Sequence, residues 1–141
     1  RLAKRLGLPF VDSDVETERA AGMGITALFE TYGEPELRAL ERRVLQRLVT
    51  QPAQVIATGG DAFVDAETRA MLLAAGTTIW LQAGLETLAT RIRRLEHRPL
   101  LQQGDLRQTL QRLLAERDSQ YAEAHLAFDT DALPVADLIE Q

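Results

Sequence analysis

Cysteine is absent from the 141 residues. Disulfides, thiolate catalysis and Cys-ligated zinc are excluded with it. Lysine is nearly absent: of the 16 basic residues, Lys4 is the one lysine and the other fifteen are arginines. A mechanism that needs a lysine in a defined loop therefore has one candidate. Only two serines (Ser13, Ser119) and two histidines (His97, His125) occur, and the histidines lack metal-ligand spacing. No nucleophile–base pair can be argued from them, and both histidines are expected at the surface or at helix ends. No stretch approaches the roughly 18 apolar residues of a membrane span, and no signal-peptide pattern is present. A soluble, cytoplasmic protein without a membrane partner is expected. The basic stripe of a phosphate-backbone binder is missing too: net charge is −5 and the isoelectric point about 5.1, so no nucleic-acid partner is expected.

What is present is enough apolar material for a core, at 45% hydrophobic against 26% charged residues. The length suits one domain over residues 1–141. The chain opens at Arg1 inside a helical pattern and without Met, so an N-terminally incomplete domain is expected. Short apolar runs alternate with longer amphipathic stretches. Strands are expected near Leu8–Val11, Val55–Thr58, Thr77–Ala83 and Leu126–Phe128. Helices are expected before Gly7, over 15–22, 25–32, 34–50, 65–75, 85–95 and 106–118, and after Pro134. In the fourth of these, Leu37, Leu40, Val44, Leu45 and Leu48 recur at helical spacing, with Pro35 in the first turn. Strands alternating with helices of this length imply an α/β fold with a parallel sheet. Ligands of such sheets bind beyond the carboxyl ends of the strands. That rule selects Asp12 and Asp14, Gly59 to Asp61, Ala83-Gly84, and Asp129 to Asp131.

Asp12 and Asp14, two apart in extended backbone, would face the same way. They suit a magnesium ion held through water or the hydroxyls of a sugar-like ligand; equally, Asp14 suits the N-cap of the next helix. Arg38 suits a bidentate clamp on a carboxylate, or a helix-surface pairing with Glu34 or Glu41. Gly59-Gly60 permits close backbone approach to a ligand, or is an ordinary turn. Arg91, Arg93, Arg94, Arg98 and Arg117 flank the loop at Arg98-Pro99-Leu100-Leu101 and suit an anion site that closes over phosphates, or a solvated basic face.

The order and spacing of several stretches resemble the shikimate kinase family of P-loop phosphotransferases over nearly the whole chain. They are Leu-Gly-Leu-Pro-Phe-Val-Asp-Ser-Asp (6–14), Gly-Ile-Thr-Ala-Leu-Phe-Glu-Thr-Tyr-Gly-Glu (24–34), Leu-Arg-Ala-Leu-Glu (37–41), Val-Ile-Ala-Thr-Gly-Gly (55–60), Arg-Pro-Leu-Leu (98–101) and Glu-Arg-Asp-Ser-Gln-Tyr-Ala-Glu-Ala (116–124). The resemblance implies a three-layer P-loop kinase-like parallel sheet flanked by helices, with about four of five strands in this chain and the first, central one missing. It implies transfer of the ATP γ-phosphoryl group to the 3-hydroxyl of shikimate with Mg²⁺, in aromatic amino-acid biosynthesis, by a monomer whose small-molecule partners are shikimate and ATP. Carried over by position, Asp14 would bind the shikimate hydroxyls and assist removal of the hydroxyl proton, and Asp12 would lie in the outer shell of magnesium. Arg38 and Arg117 would clamp the shikimate carboxylate near Gly59 and Gly60. Arg98 would act on the transferring phosphate from a lid at about 96–108, and Arg94 would pack on adenine.

Three departures stand beside this. The family's Gly-x-x-x-x-Gly-Lys-Ser/Thr loop has no match here, since Lys4 follows Ala3 in what resembles the helix after that loop. Weak or absent activity of these 141 residues taken alone is therefore expected. Asp61 stands where the family usually carries a third glycine, and it would repel an anionic substrate or turn away to cap the next helix. A further adenine contact has no match near Ala132-Leu133. The alternative to a kinase is a non-catalytic, shikimate kinase-like ligand-sensing module. A related kinase acting on gluconate fits the Arg38 spacing and Arg-Pro-Leu-Leu less well.

Overall fold

The structure, a computed structural model, describes residues 1–94 and 106–141. Most of the expected lid at about 96–108, with His97 and Arg98, lies outside the described residues. The chain clusters into two compact units, Arg1–Gly76 and Thr77–Gln141.

In the N-terminal unit, helix α1 (Leu2–Leu6) ends at Gly7, whose φ of 67° is open to glycine at little cost. Strand β1 (Phe10–Asp12) follows, then α2 (Ser13–Ala21), α3 (Ile25–Tyr32), α4 (Glu34–Val49), β2 (Val55–Ala57) and α5 (Ala66–Ala75). The strands pair in parallel with Phe10 opposite Val55, Val11 opposite Ile56 and Asp12 opposite Ala57. This register ends both strands at one level, so the residues two beyond each end, Asp14 and Gly59, become neighbours. Extended backbone stops at Asp12, however, because its Oδ1 accepts the Asp14 N–H at 2.9 Å and starts α2. Asp12 is therefore the N-cap and Asp14 lies in the first turn, which corrects the expectation that Asp14 caps this helix.

The apolar face of α4 forms the core. Leu37, Val44, Leu45 and Leu48 are buried, and Leu40 packs against the cluster of Val44, Leu45, Leu48 and Ala62 together with Val11, Ile56, Met71 and Leu72. Each fully buried leucine contributes about 1.5–3 kcal/mol. This anchors the helix whose second turn carries Arg38 and ties it to both strands.

In the C-terminal unit, β3 (Ile79–Gln82) leads to α6 (Leu85–Arg93), and α7 (Leu106–Tyr121) leads to β4 (Leu126–Asp129) and α8 (Val135–Glu140). These strands are also parallel, with Gln82 opposite Asp129, so Gly84 and Asp131 lie at equivalent positions beyond their ends. Trp80 meets Tyr121 edge to face at 5.9 Å and holds β3 against α7. His125 has a structural place: its Nδ1 accepts the Thr78 N–H at 3.0 Å and its own N–H reaches Thr78 Oγ1 at 3.0 Å. All four expected strands form, as two parallel pairs, one within each unit.

Candidate active site

The carboxyl ends of β1 and β2 gather Asp12, Asp14, Gly59, Gly60 and Asp61. The Asp14 carboxylate lies against Gly59 so closely that a Cβ on Gly59 would come within 2.8 Å of Asp14 Oδ1. Glycine at 59 is what lets the carboxylate approach the backbone after β2. Gly60 and Asp61 continue the turn, which is closed by the Ala62 N–H donating to the Gly59 carbonyl at 3.2 Å and the Val64 N–H to the Asp61 carbonyl at 3.2 Å.

Arg38 joins this region from α4. Its Nη1 donates to Glu41 Oε2 at 2.9 Å, and its Nη2 donates to Asp61 Oδ2 at 2.7 Å and to Glu34 Oε1 at 3.5 Å. The helix-surface pairing expected with Glu34 or Glu41 is thus present, and so is a partner from outside the helix. Asp61 does not cap α5. That cap is Asp65, whose Oδ2 accepts the Thr68 N–H at 2.9 Å and the Thr68 hydroxyl at 2.8 Å. The spacing Asp65-Ala66-Glu67-Thr68, an acidic cap before an apolar helix, was the signal for it.

Burial by itself lowers the Arg38 pKa, but the Glu41 hydrogen bond and the charges of Glu41, Asp61 and Glu34 outweigh it and hold the guanidinium charged. Burial pushes the Glu41 carboxyl up; Arg38 opposes this, while the charges of Asp14 and Asp61 add to it. Arg42, one turn beyond Arg38, is engaged elsewhere, with Asp65 at 2.9 Å and Glu67 at 2.6 Å. Arg38 thus reaches the Gly59–Asp61 turn through its contact with Asp61.

Among the described residues no group of three or more His, Cys, Asp or Glu side chains is placed to hold a metal ion. A hydrated magnesium ion needs no such group, because it keeps several waters and takes one or two carboxylates plus substrate phosphates. Asp12 commits Oδ1 to the α2 cap and has a second oxygen for such a water.

The C-terminal unit holds the remaining described candidates. Arg117, on α7, lines a cavity of about 570 Å³ with Trp80, Tyr121, Asp129 and Asp131. Arg94 is the C-cap of α6, its N–H donating to the Arg91 carbonyl at 3.3 Å. Arg91, one of the five arginines read as a possible anion site, instead ties α6 to the end of β4. It donates to Thr130 Oγ1 at 3.2 Å and to the Thr130 carbonyl at 3.3 Å. Asp131 accepts the Gly84 N–H at 2.9 Å. The Thr87 hydroxyl and this amide hold its carboxyl below the usual carboxylate range.

No helix among the described residues is long and apolar enough to cross a membrane. Comparison with known proteins gives one consistent answer. The family model described as Shikimate kinase matches residues 1–141. The shikimate kinase of Paramagnetospirillum magneticum is 50% identical over 140 residues, covering 99% of this chain and 72% of that protein. That of Zymomonas mobilis is 46% identical over 140 residues, covering 99% and 80%. Among solved structures, shikimate kinase from Acinetobacter baumannii in complex with shikimate matches with a TM-score of 0.91 at 39% identity, covering 99% of this chain and 78% of that one. A match across all 141 residues, joined by relatives this similar over nearly the same span, means that the chain belongs to the shikimate kinase family, with its P-loop kinase α/β fold.

Proposed function

We propose that this protein transfers the γ-phosphoryl group of ATP to the 3-hydroxyl of shikimate. The observation that carries this reading is the match of the whole chain to one kinase family. Relatives at 46% and 50% identity are kinases, which favours the kinase over a ligand-sensing module. The geometry of the N-terminal unit supports it, since a carboxylate, a glycine turn and an arginine meet at the ends of two parallel strands.

Phosphoryl transfer asks little covalent chemistry of a protein; it asks for positioning and for stabilisation of charge. Asp14 is the group that would hold the reacting hydroxyl and accept its proton. Its carboxylate is fixed by the first turn of α2 and by contact with Gly59. Arg38 would receive the shikimate carboxylate, supported by its upward-held charge, with the backbone at Gly59 and Gly60 alongside. Arg117 is read as the second carboxylate contact, Arg94 as the adenine contact, and Arg98, outside the described residues, as the arginine on the transferring phosphate. Asp12 would hold a hydrated magnesium ion through water, and such an ion would supply positive charge where negative charge develops on the phosphate. We read the protein as a cytoplasmic monomer with small-molecule partners only; the net charge of −5 supports the absence of nucleic acid.

The test is ADP release by the natural full-length gene product with Mg-ATP, with and without shikimate, and detection of the new phosphoester by phosphorus NMR. Shikimate-dependent release with one phosphoester per ADP is expected. Release that ignores shikimate, or no release, overturns the reading.

A further inference from the structure

We propose that Asp61 is an internal competitor for the Arg38 guanidinium, occupying the donor that an incoming carboxylate needs and thereby setting how tightly an anionic substrate binds. The inference rests on the reading of Arg38 as the carboxylate clamp, and goes beyond it by assigning a role to the one position that departs from the family's glycine.

Three carboxylates contact Arg38, and they are not equivalent. Glu34 and Glu41 lie four residues before and three after it on the same helix, so they accompany the guanidinium wherever α4 goes. Asp61 comes from another segment, the turn after β2, and makes the shortest of the three contacts at 2.7 Å. That length is in the range of a charge-assisted hydrogen bond. A carboxylate on a ligand would seek the same bond from the same nitrogen.

The pair is also placed to open. The side chains of Arg38 and Asp61 are 30% and 38% exposed, so solvent and ligand reach both. The backbone at Asp61 is held independently of its side chain, because its carbonyl accepts the Val64 N–H at 3.2 Å. Rotation about the Asp61 side-chain bonds therefore breaks its bond to Arg38 Nη2 without unfolding the turn.

Charge points the same way. Arg38 faces Glu34, Glu41 and Asp61, and the charge of Asp14 acts on Glu41 as well. A ligand carboxylate approaching this group meets an excess of negative charge. Removing the Asp61 charge weakens the shorter of the two contacts on Nη2 and takes away part of that repulsion.

The test uses the natural full-length protein with Asp61→Asn, which keeps the shape, and Asp61→Gly, which removes the side chain; a thermal melt checks that both fold. Shikimate binding is measured by calorimetry, and turnover in parallel. In both variants the shikimate Kd and KM are expected to fall about five- to twentyfold, or about 1–1.8 kcal/mol, while the KM for ATP does not follow. The gain should vanish for the neutral carboxamide analogue of shikimate, which has no charge to compete with. Unchanged or weaker shikimate binding in both variants overturns the proposal and leaves Asp61 as a support that holds Arg38 in place. A gain that persists with the carboxamide overturns it as well. The kinase reading fails on a different measurement, the absence of shikimate-dependent ADP release from the unsubstituted protein, and the binding arm decides the role of Asp61 in that case too.

Discussion

The two units end their strand pairs in the same way. In the N-terminal unit Asp12 opposes Ala57, and two residues on, Asp14 lies against Gly59. In the C-terminal unit Gln82 opposes Asp129, and two residues on, Asp131 lies against Gly84, where an added Cβ would come within 2.7 Å of its Oδ2. Each unit has an Asp-x-Asp at a strand end, and in each the first carboxylate accepts the N–H of the second, at 2.9 Å for Asp12 and 2.8 Å for Asp129. The surroundings differ. Asp131 takes hydrogen bonds from Gly84 and Thr87 and so stitches the end of β4 to the start of α6. Asp14 lies against the turn that carries Asp61, and Arg38 of α4 contacts that turn through Asp61. The same local device thus does structural work in one unit and, as proposed here, chemical work in the other. Spacing does not separate the two uses; the neighbouring charges do.

The packing beneath the two devices differs as well. Among the described residues, seven of the nine buried apolar side chains are in the N-terminal unit, and only Ala89 and Leu110 are in the C-terminal one. A group that must stay in place against a substrate needs rigid support, and the buried face of α4 supplies it to Arg38.

The largest effect that sharpens this contrast is on turnover. Asp14→Asn should lower kcat by about 10²–10⁴-fold, the usual worth of a positioned general base, with a thermal melt close to that of the parent. A comparable loss of turnover in Asp131→Asn would break the distinction between the two devices. Next comes the core. Leu45, 1% exposed, should cost about 3 kcal/mol on Leu45→Ala, measured by urea unfolding. Leu126 on β4, 45% exposed, should cost less than about 1 kcal/mol on the same change.

A third comparison sets Gly59→Ala beside Gly84→Ala. In each case the atom in the way is the far end of an aspartate side chain, which gives way easily, so the loss of stability should be small. At Gly59 the atom that moves is the Asp14 carboxylate, and kcat/KM should fall about tenfold or more, since small misplacements at a reacting centre are costly. At Gly84 the change should show as a stability shift alone. Equal kinetic losses at both glycines would count against Asp14 as the reacting group.

The smallest effect is that of the α5 cap. Asp65→Ala should cost about 1 kcal/mol near neutral pH. The Thr68 N–H above all holds the Asp65 carboxyl below its ordinary value, against a smaller opposing effect of burial, with the Thr68 hydroxyl and Arg42 adding to it. The native carboxyl therefore binds its proton less tightly than the unfolded one. The stabilisation is complete above the ordinary aspartate pKa near 3.8 and is lost as pH falls through the native value. Unfolding curves of parent and variant should converge below that pH, and a difference independent of pH would show that the cap does not act through its charge.

Most of the architecture was legible in the sequence because it rests on local periodicity. The leucines of α4 recur at 3.6-residue spacing, and four of the five singled out, Leu37, Val44, Leu45 and Leu48, are buried. Gly7 stops α1 as expected. Less legible were the choices among polar partners. Spacing allowed Asp14 as the cap of α2, but the structure uses Asp12. Spacing allows Asp61 as the cap of α5, but the structure uses Asp65. Arg91 suits an anion site by spacing, and in the structure it donates to Thr130. In each case two or more side chains satisfied the same local rule, and the backbone path chose between them.

By itself the sequence determined the alternation of strands and helices, the placement of carboxylates and glycines at strand ends, and a resemblance that the comparisons bear out. These follow from interactions between residues a few positions apart, which a linear reading captures. Only the tertiary structure decided what Arg38 faces. Asp61 lies 23 residues away from it, and the two meet because β1 and β2 pair in a register that brings the turn after β2 up to α4. A hydrogen bond of 2.7 Å depends on backbone placement within a fraction of an ångström, and that placement is set by the packing of the core rather than by either residue.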